Sequence, residues 1–108
     1  MDNGEMRVVF ITASNQEEAA RIAKALVAEK LAACVGIVPS VRSIYMWKGE
    51  VRDEGEVLMI VKTSATKFPT LAERVESLHS YDVPEVIAMP IVDGLQSYLD
   101  WIDETLVG

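Results

Sequence analysis

Cysteine and histidine are nearly missing from this chain of 108 residues, which has one of each, Cys34 and His79. A single thiol closes no disulfide within the chain. Secreted domains this small usually carry several bridges, so a reducing, cytoplasmic setting is expected. Positive charge is also short, with 10 basic residues against 17 acidic ones and a net charge of −7. Such a surface repels phosphate backbones and argues against a nucleic-acid partner. Long apolar runs are lacking, and the stretch from Val57 to Val61 is far too short to span a bilayer. The opening Met1-Asp2-Asn3-Gly4-Glu5-Met6 has neither the basic nor the apolar region of a signal peptide, so no membrane partner is expected. No phosphate-cradling glycine loop, nucleophile elbow, HExxH or CxxC occurs, and no enzymatic activity is expected.

Glycine and proline are few, six and four, while 50% of the residues are apolar and 25% charged. That balance belongs to a packed globular protein. The length fits one domain, residues 1–108, with one small core. Val8-Val9-Phe10-Ile11 reads as a buried strand. Ser14 or Asn15 can cap the following helix, because Glu17 and Glu18 lie three residues further on. The apolar face of that helix is Ala19, Ile22, Ala23, Leu26 and Val27. Glu18, Arg21 and Glu29 lie opposite, and the helix should end near Lys30 or Leu31. Ala33 to Trp47 reads as extended, with Pro39 at a bend or an edge. Lys48-Gly49 makes a tight turn, and Glu50 to Lys62 returns as a second strand with Gly55 as a bulge. Phe68, Leu71, Ala72, Val75 and Leu78 form a second helical face, with Pro69 in its first turn. A strand over Glu85 to Val92 follows. Asp93 then caps a last helix, with Gln96 at the capping-box position and Leu95, Tyr98, Leu99, Ile102 and Leu106 on its face.

The resulting order, β-α-β-β-α-β with an extra C-terminal helix, is the ferredoxin-like α+β plan, an antiparallel sheet with helices on one face. The central hairpin is unusually long. Fifteen residues at about 3.3 Å each reach roughly 50 Å, whereas a compact chain of this length has a radius of gyration of about 13 Å. The arm should project beyond its core. Long unpaired strands invite aggregation, and pairing with other copies removes that hazard, so a homo-oligomer is expected.

Ala33-Cys34-Val35, Tyr45-x-Trp47-x-Gly49 and His79-Ser80-Tyr81-Asp82-Val83-Pro84-Glu85 carry a family resemblance. Lys62-Thr63 and Tyr98-Leu99-x-Trp101-Ile102 extend it, so that it runs from about Val8 to Ile102. Taken together these segments resemble the CutA family of divalent-cation tolerance proteins. The resemblance implies a homotrimer whose long hairpins pair between subunits. It also implies a non-enzymatic role in the response to metal ions, with weak binding of copper (Cu²⁺) or another divalent cation. Copper ligands in the family, a first-strand cysteine and two adjacent histidines, fall here on Ile11, Leu78 and His79, of which His79 alone is a matching residue. Gly36 and Ser80 also depart from the usual pattern.

His79 is thus the candidate metal ligand, although a lone histidine at a helix end more often packs than ligates. Cys34, between Ala33 and Val35, reads as a small buried hydrophobe. Asp53, Glu54 and Glu56 cluster around Gly55, but strand alternation should split them between faces. Tyr45, Trp47 and Tyr81 are of the residue types enriched at subunit contacts. With Lys62 and Glu85 they can frame an inter-subunit cleft for a small anion or metabolite. A second function is therefore carried alongside the first: a trimeric small-molecule sensor or signalling module resembling the PII proteins. A third is a structural anchor that presents its surface to another protein.

Overall fold

The computed structural model describes residues 5–107. Residues 1–4 of the leader reading, and residue 108 of the domain reading, lie outside the described residues. The elements run β1 (Met6–Ala13), α1 (Gln16–Ala28), β2 (Cys34–Trp47), β3 (Glu50–Ser64), α2 (Phe68–Leu78), β4 (Val86–Pro90) and α3 (Gln96–Leu106). The four strands form one antiparallel sheet in the order β2-β3-β1-β4. This is the ferredoxin-like α+β arrangement expected from the element order.

Period-two alternation decides which strand residues enter the core. Val9, Ile11 and Ala13 of β1 and Val57, Met59 and Val61 of β3 are buried with Ile22 and Leu26 of α1 and Leu71 and Val75 of α2. Val8, Phe10, Leu58 and Ile60 alternate with these residues and are half-buried on the other face. That face is not bare along its whole length, which departs from the expectation that all helices share one side. Met6 and Ala33 form a second buried cluster with Leu99, Ile102 and Leu106, so α3 covers one end of it. Beyond α3, Ile87 and Met89 of β4 remain exposed.

Helix α1 starts as its capping pattern predicts. The Asn15 side chain accepts from the Glu18 amide at 2.8 Å. The helix closes at Ala28, two residues short of Lys30, through a Schellman motif. Leu31 N–H donates to Leu26 O, Lys30 N–H donates to Val27 O, and Lys30 takes the left-handed conformation at φ 58°. Helix α3 departs from expectation. Its N-cap is Leu95 without a side-chain bond, and Gln96 instead donates to Asp100 within the helix. Asp93 therefore does not cap it, and Leu95 is exposed rather than part of the apolar face.

The hairpin closes through Lys48 (φ 50°) and Gly49 (φ 78°), a two-residue turn with both φ positive that matches the right-handed twist of the strands. Pairing of β1 with β3 stops at Ala13 and Val57, so residues 41–56 form a two-stranded arm. The arm gives the molecule extents of 45 × 25 × 22 Å and a radius of gyration of 14.4 Å, above the roughly 13 Å of a compact chain this long. Gly55 is not a bulge; it pairs regularly with Arg42. The irregularity falls between Val38 and Val41, where Pro39 has no N–H to give the ladder. One extra β2 residue there reverses the parity of pairing. Val35 faces Val61 before it, but Tyr45 faces Arg52 after it.

Candidate functional site

The bulge places Ser43, Tyr45 and Trp47 across from Glu54, Arg52 and Glu50. The segment after α2 comes up beside this part of the arm and encloses a cleft of about 690 Å³. Tyr45, Trp47, Tyr81 and Glu85 all line it. Lys62 does not. It lies opposite Cys34 on β2 and Val8 on β1, with Nζ 4.0 Å from Cys34 Sγ. Arg52, Glu56 and Asp82 join the lining, although the sequence reading placed none of the three in a cleft.

The cleft aromatics are fixed by carboxylates. Tyr81 Oη donates to Glu56 Oε2 at 2.8 Å, and Tyr45 Oη donates to Glu54. Burial first, and then the Glu56 hydrogen bond and charge, push the Tyr81 phenol well above the ordinary tyrosine range. The Tyr45 phenol is raised mainly by its bond to Glu54. Asp53 goes elsewhere, accepting two bonds from Arg42 at 2.8 and 2.6 Å. Each carboxylate of the Asp53, Glu54 and Glu56 run thus has a different partner. Among the described residues no group of three or more His, Cys, Asp or Glu side chains is placed to hold a metal ion.

His79 is the C-cap residue of α2, and its side chain is fully buried. Nε2 lies 2.7 Å from Thr12 O, and Nδ1 lies 3.0 Å from Tyr81 N. A carbonyl only accepts and an amide only donates, so the proton sits on Nε2 and the Nδ1 lone pair receives the Tyr81 N–H. Ile11, where the resemblance alone implied a cysteine ligand, is buried in the apolar core. One imidazole with both nitrogens engaged does not make a resident copper centre.

Glu18 is the residue that sequence periodicity put on the wrong face. It is 7% exposed, and its carboxylate joins three segments. Oε1 accepts from the Ser14 amide at 3.2 Å and hydroxyl at 3.0 Å, Oε2 accepts from the Ser80 amide at 2.8 Å, and His79 Nδ1 is 3.9 Å away. Burial alone would raise its pKa, but the Ser80 and Ser14 hydrogen bonds outweigh burial and lower it to about 2. The Asn15-x-x-Glu18 spacing announced a cap; the reach to Ser80 is a tertiary contact with no local signal.

Cys34 is half-exposed rather than buried. Its Sγ lies 3.6 Å from Tyr98 Oη, and that contact with the thiol, more than burial, raises the Tyr98 phenol. No helix among the described residues is long and apolar enough to cross a membrane.

Residues 7–105 match the family model of the CutA1 divalent ion tolerance protein. The divalent-cation tolerance protein CutA of Thermus thermophilus is 56% identical over 97 residues, covering 90% of this chain and 94% of that protein. A solved structure of the T. thermophilus protein superposes with a TM-score of 0.91 at 54% identity, over 93% of this chain and 97% of that one. The Archaeoglobus fulgidus structure, described as a periplasmic divalent cation tolerance protein CutA, gives a TM-score of 0.92 at 45% identity, over 94% and 99% of the two chains. Protein CutA of Mus musculus is 44% identical over 101 residues, 94% of this chain but only 57% of the mouse protein.

Proposed function

The chain belongs to the CutA1 divalent ion tolerance protein family, and from that premise we propose a non-enzymatic cytoplasmic homotrimer that serves the response to divalent metal ions and binds copper weakly. Self-association is supported by the arm. Ile44, Met46 and Val51 are 63%, 64% and 70% exposed on a ribbon that, among the described residues, pairs only between its own two strands. Apolar side chains and open strand edges of this kind are stabilised by another copy. Three copies is the number implied by the family resemblance.

Weak affinity for the cation is supported by His79. A cation at Nδ1 must displace the Tyr81 amide, and the one carboxylate beside it, Glu18, already accepts bonds from Ser14 and Ser80. Calorimetric titration with Cu²⁺ should give weak heats that fall further in His79→Gln, which can still donate to Thr12 O. Identical titrations would remove His79 from this reading. Sedimentation velocity at low concentration should show a species three times the chain mass, and a folded single chain would overturn the assembly.

A second reading, a sensor of a small molecule, is favoured by the cleft. A volume of about 690 Å³ lies within the usual range of roughly 300–1,000 Å³ for small-molecule sites. A thermal-shift screen of metabolites should find compounds that raise the melting temperature by mass action. A panel without shifts would leave the metal-response reading alone.

A further inference from the structure

The lining of the cleft points to the chemistry of its ligand. Three rings, Tyr45, Trp47 and Tyr81, share it with three carboxylates, Glu56, Asp82 and Glu85. Arg52 is the one cation on the lining among the described residues, so the cleft is net negative. Both phenol protons are committed to glutamates, Tyr81 to Glu56 and Tyr45 to Glu54, which leaves the phenol oxygens as acceptors. The walls offer ring faces and acceptors, beside the donors of Arg52, the Trp47 indole and the Thr12 and Ser43 hydroxyls.

Such walls suit a positive ligand, but not a small hard ion. A bare divalent cation needs oxygens converging at about 2.0–2.6 Å, and no group of three metal-ligating side chains exists among the described residues. A bulky cation with spread charge needs no such convergence. It is attracted by aromatic faces within about 6 Å and by the summed field of separated carboxylates. Lys48 Nζ stands 5.9 Å from the centroid of the Trp47 ring, so a cation is already near that ring within the chain.

We propose that the cleft binds an organic ammonium ion, an amine or quaternary ammonium with an apolar body, seated on Tyr45, Trp47 and Tyr81 and held by the field of Glu56, Asp82 and Glu85. This ligand class rests on the second reading above, that the cleft takes a small molecule. The test is an NMR titration of the full-length assembly with benzyltrimethylammonium and, separately, benzenesulfonate, following the Trp47 indole N–H. The cation should shift the indole signal and the anion should not. Binding, read in every variant from line broadening of the probe's own signals, should weaken about fivefold or more in Trp47→Leu, which removes the ring face, and should weaken in Glu85→Gln and with added NaCl. Glu85→Gln preserves shape and keeps the test sound if Trp47→Leu disturbs the arm. Wild-type binding by both variants would overturn the proposal. Binding of the sulfonate alone would overturn the ligand class but keep a small-molecule cleft, with Arg52 as the contact. Silence of both probes would overturn the class and the cleft reading together.

Discussion

Glu18 shows how much one side chain can tie together. Its carboxylate links the end of β1, the start of α1 and the segment after α2 through Ser14 and Ser80. Its pKa of about 2 lies below the ordinary 4.5, so between those values the unfolded chain binds more protons than the folded one. The carboxylate's contribution is complete above about pH 4.5 and is lost as pH falls toward 2. A shift of this size corresponds to at most about 3 kcal/mol. Glu18→Gln should therefore lower stability by about 1–3 kcal/mol at neutral pH. It should also flatten the acid limb of the stability curve, measured by urea unfolding at stepped pH. Equal pH dependence in both proteins would contradict this account. The sequence announced Glu18 only as part of a helix cap, because periodicity counts faces of one helix and knows nothing of the loop that later covers it. His79 was legible as a chemical candidate. Its engagement with Thr12 and Tyr81 was not, since those bonds join segments far apart in sequence.

At the scale of elements, two positions carry left-handed backbone for different reasons. Lys30 fills the Schellman position where glycine is the usual residue, at φ 58°. Lys30→Gly should stabilise by up to about 1 kcal/mol, offset in part by loss of the bond from its Nζ to Val107 O at 3.2 Å. Gly49 at φ 78° closes the hairpin, and Gly49→Ala should destabilise by about 1–2 kcal/mol. Thermal unfolding of both variants checks the opposite signs. The turn at Lys48-Gly49 was readable because glycine there has one obvious use. The bulge was misread at Gly55 because glycine is only permissive, whereas Pro39 removes a donor that the β2 ladder must do without. The cap of α3 was misread in the same way, Asp93 having the right chemistry two residues too early for an N-cap at Leu95.

For the whole molecule the decisive feature is an arm longer than its own body can cover. Ile44 and Met46 stand on it fully in reach of solvent or of another copy. Ile44→Glu combined with Met46→Glu should place charges in any contact made there and, if the proposed trimer uses the arm, shift sedimentation from that proposed species to single chains, with the secondary structure kept. An unchanged sedimentation profile would place the subunit contact elsewhere. The exposed Ile87 and Met89 on the sheet face beyond α3 are the next surface to examine by the same substitution.

The order of strands and helices, the hairpin and its turn, and the identity of most core residues follow from sequence, because hydrophobic period and turn chemistry act over a few residues. So does the family, whose segments are short and local. The tertiary structure alone decided the rest. It put Tyr45 across from Arg52 and Trp47 across from Glu50 through a one-residue slip at Pro39 and Ser40, and it set Lys62 beside Cys34 rather than in the cleft. It also buried Glu18 under Ser80. Each of these is a question of register or of contact between distant segments, and neither has a local energy that the amino-acid pattern can display.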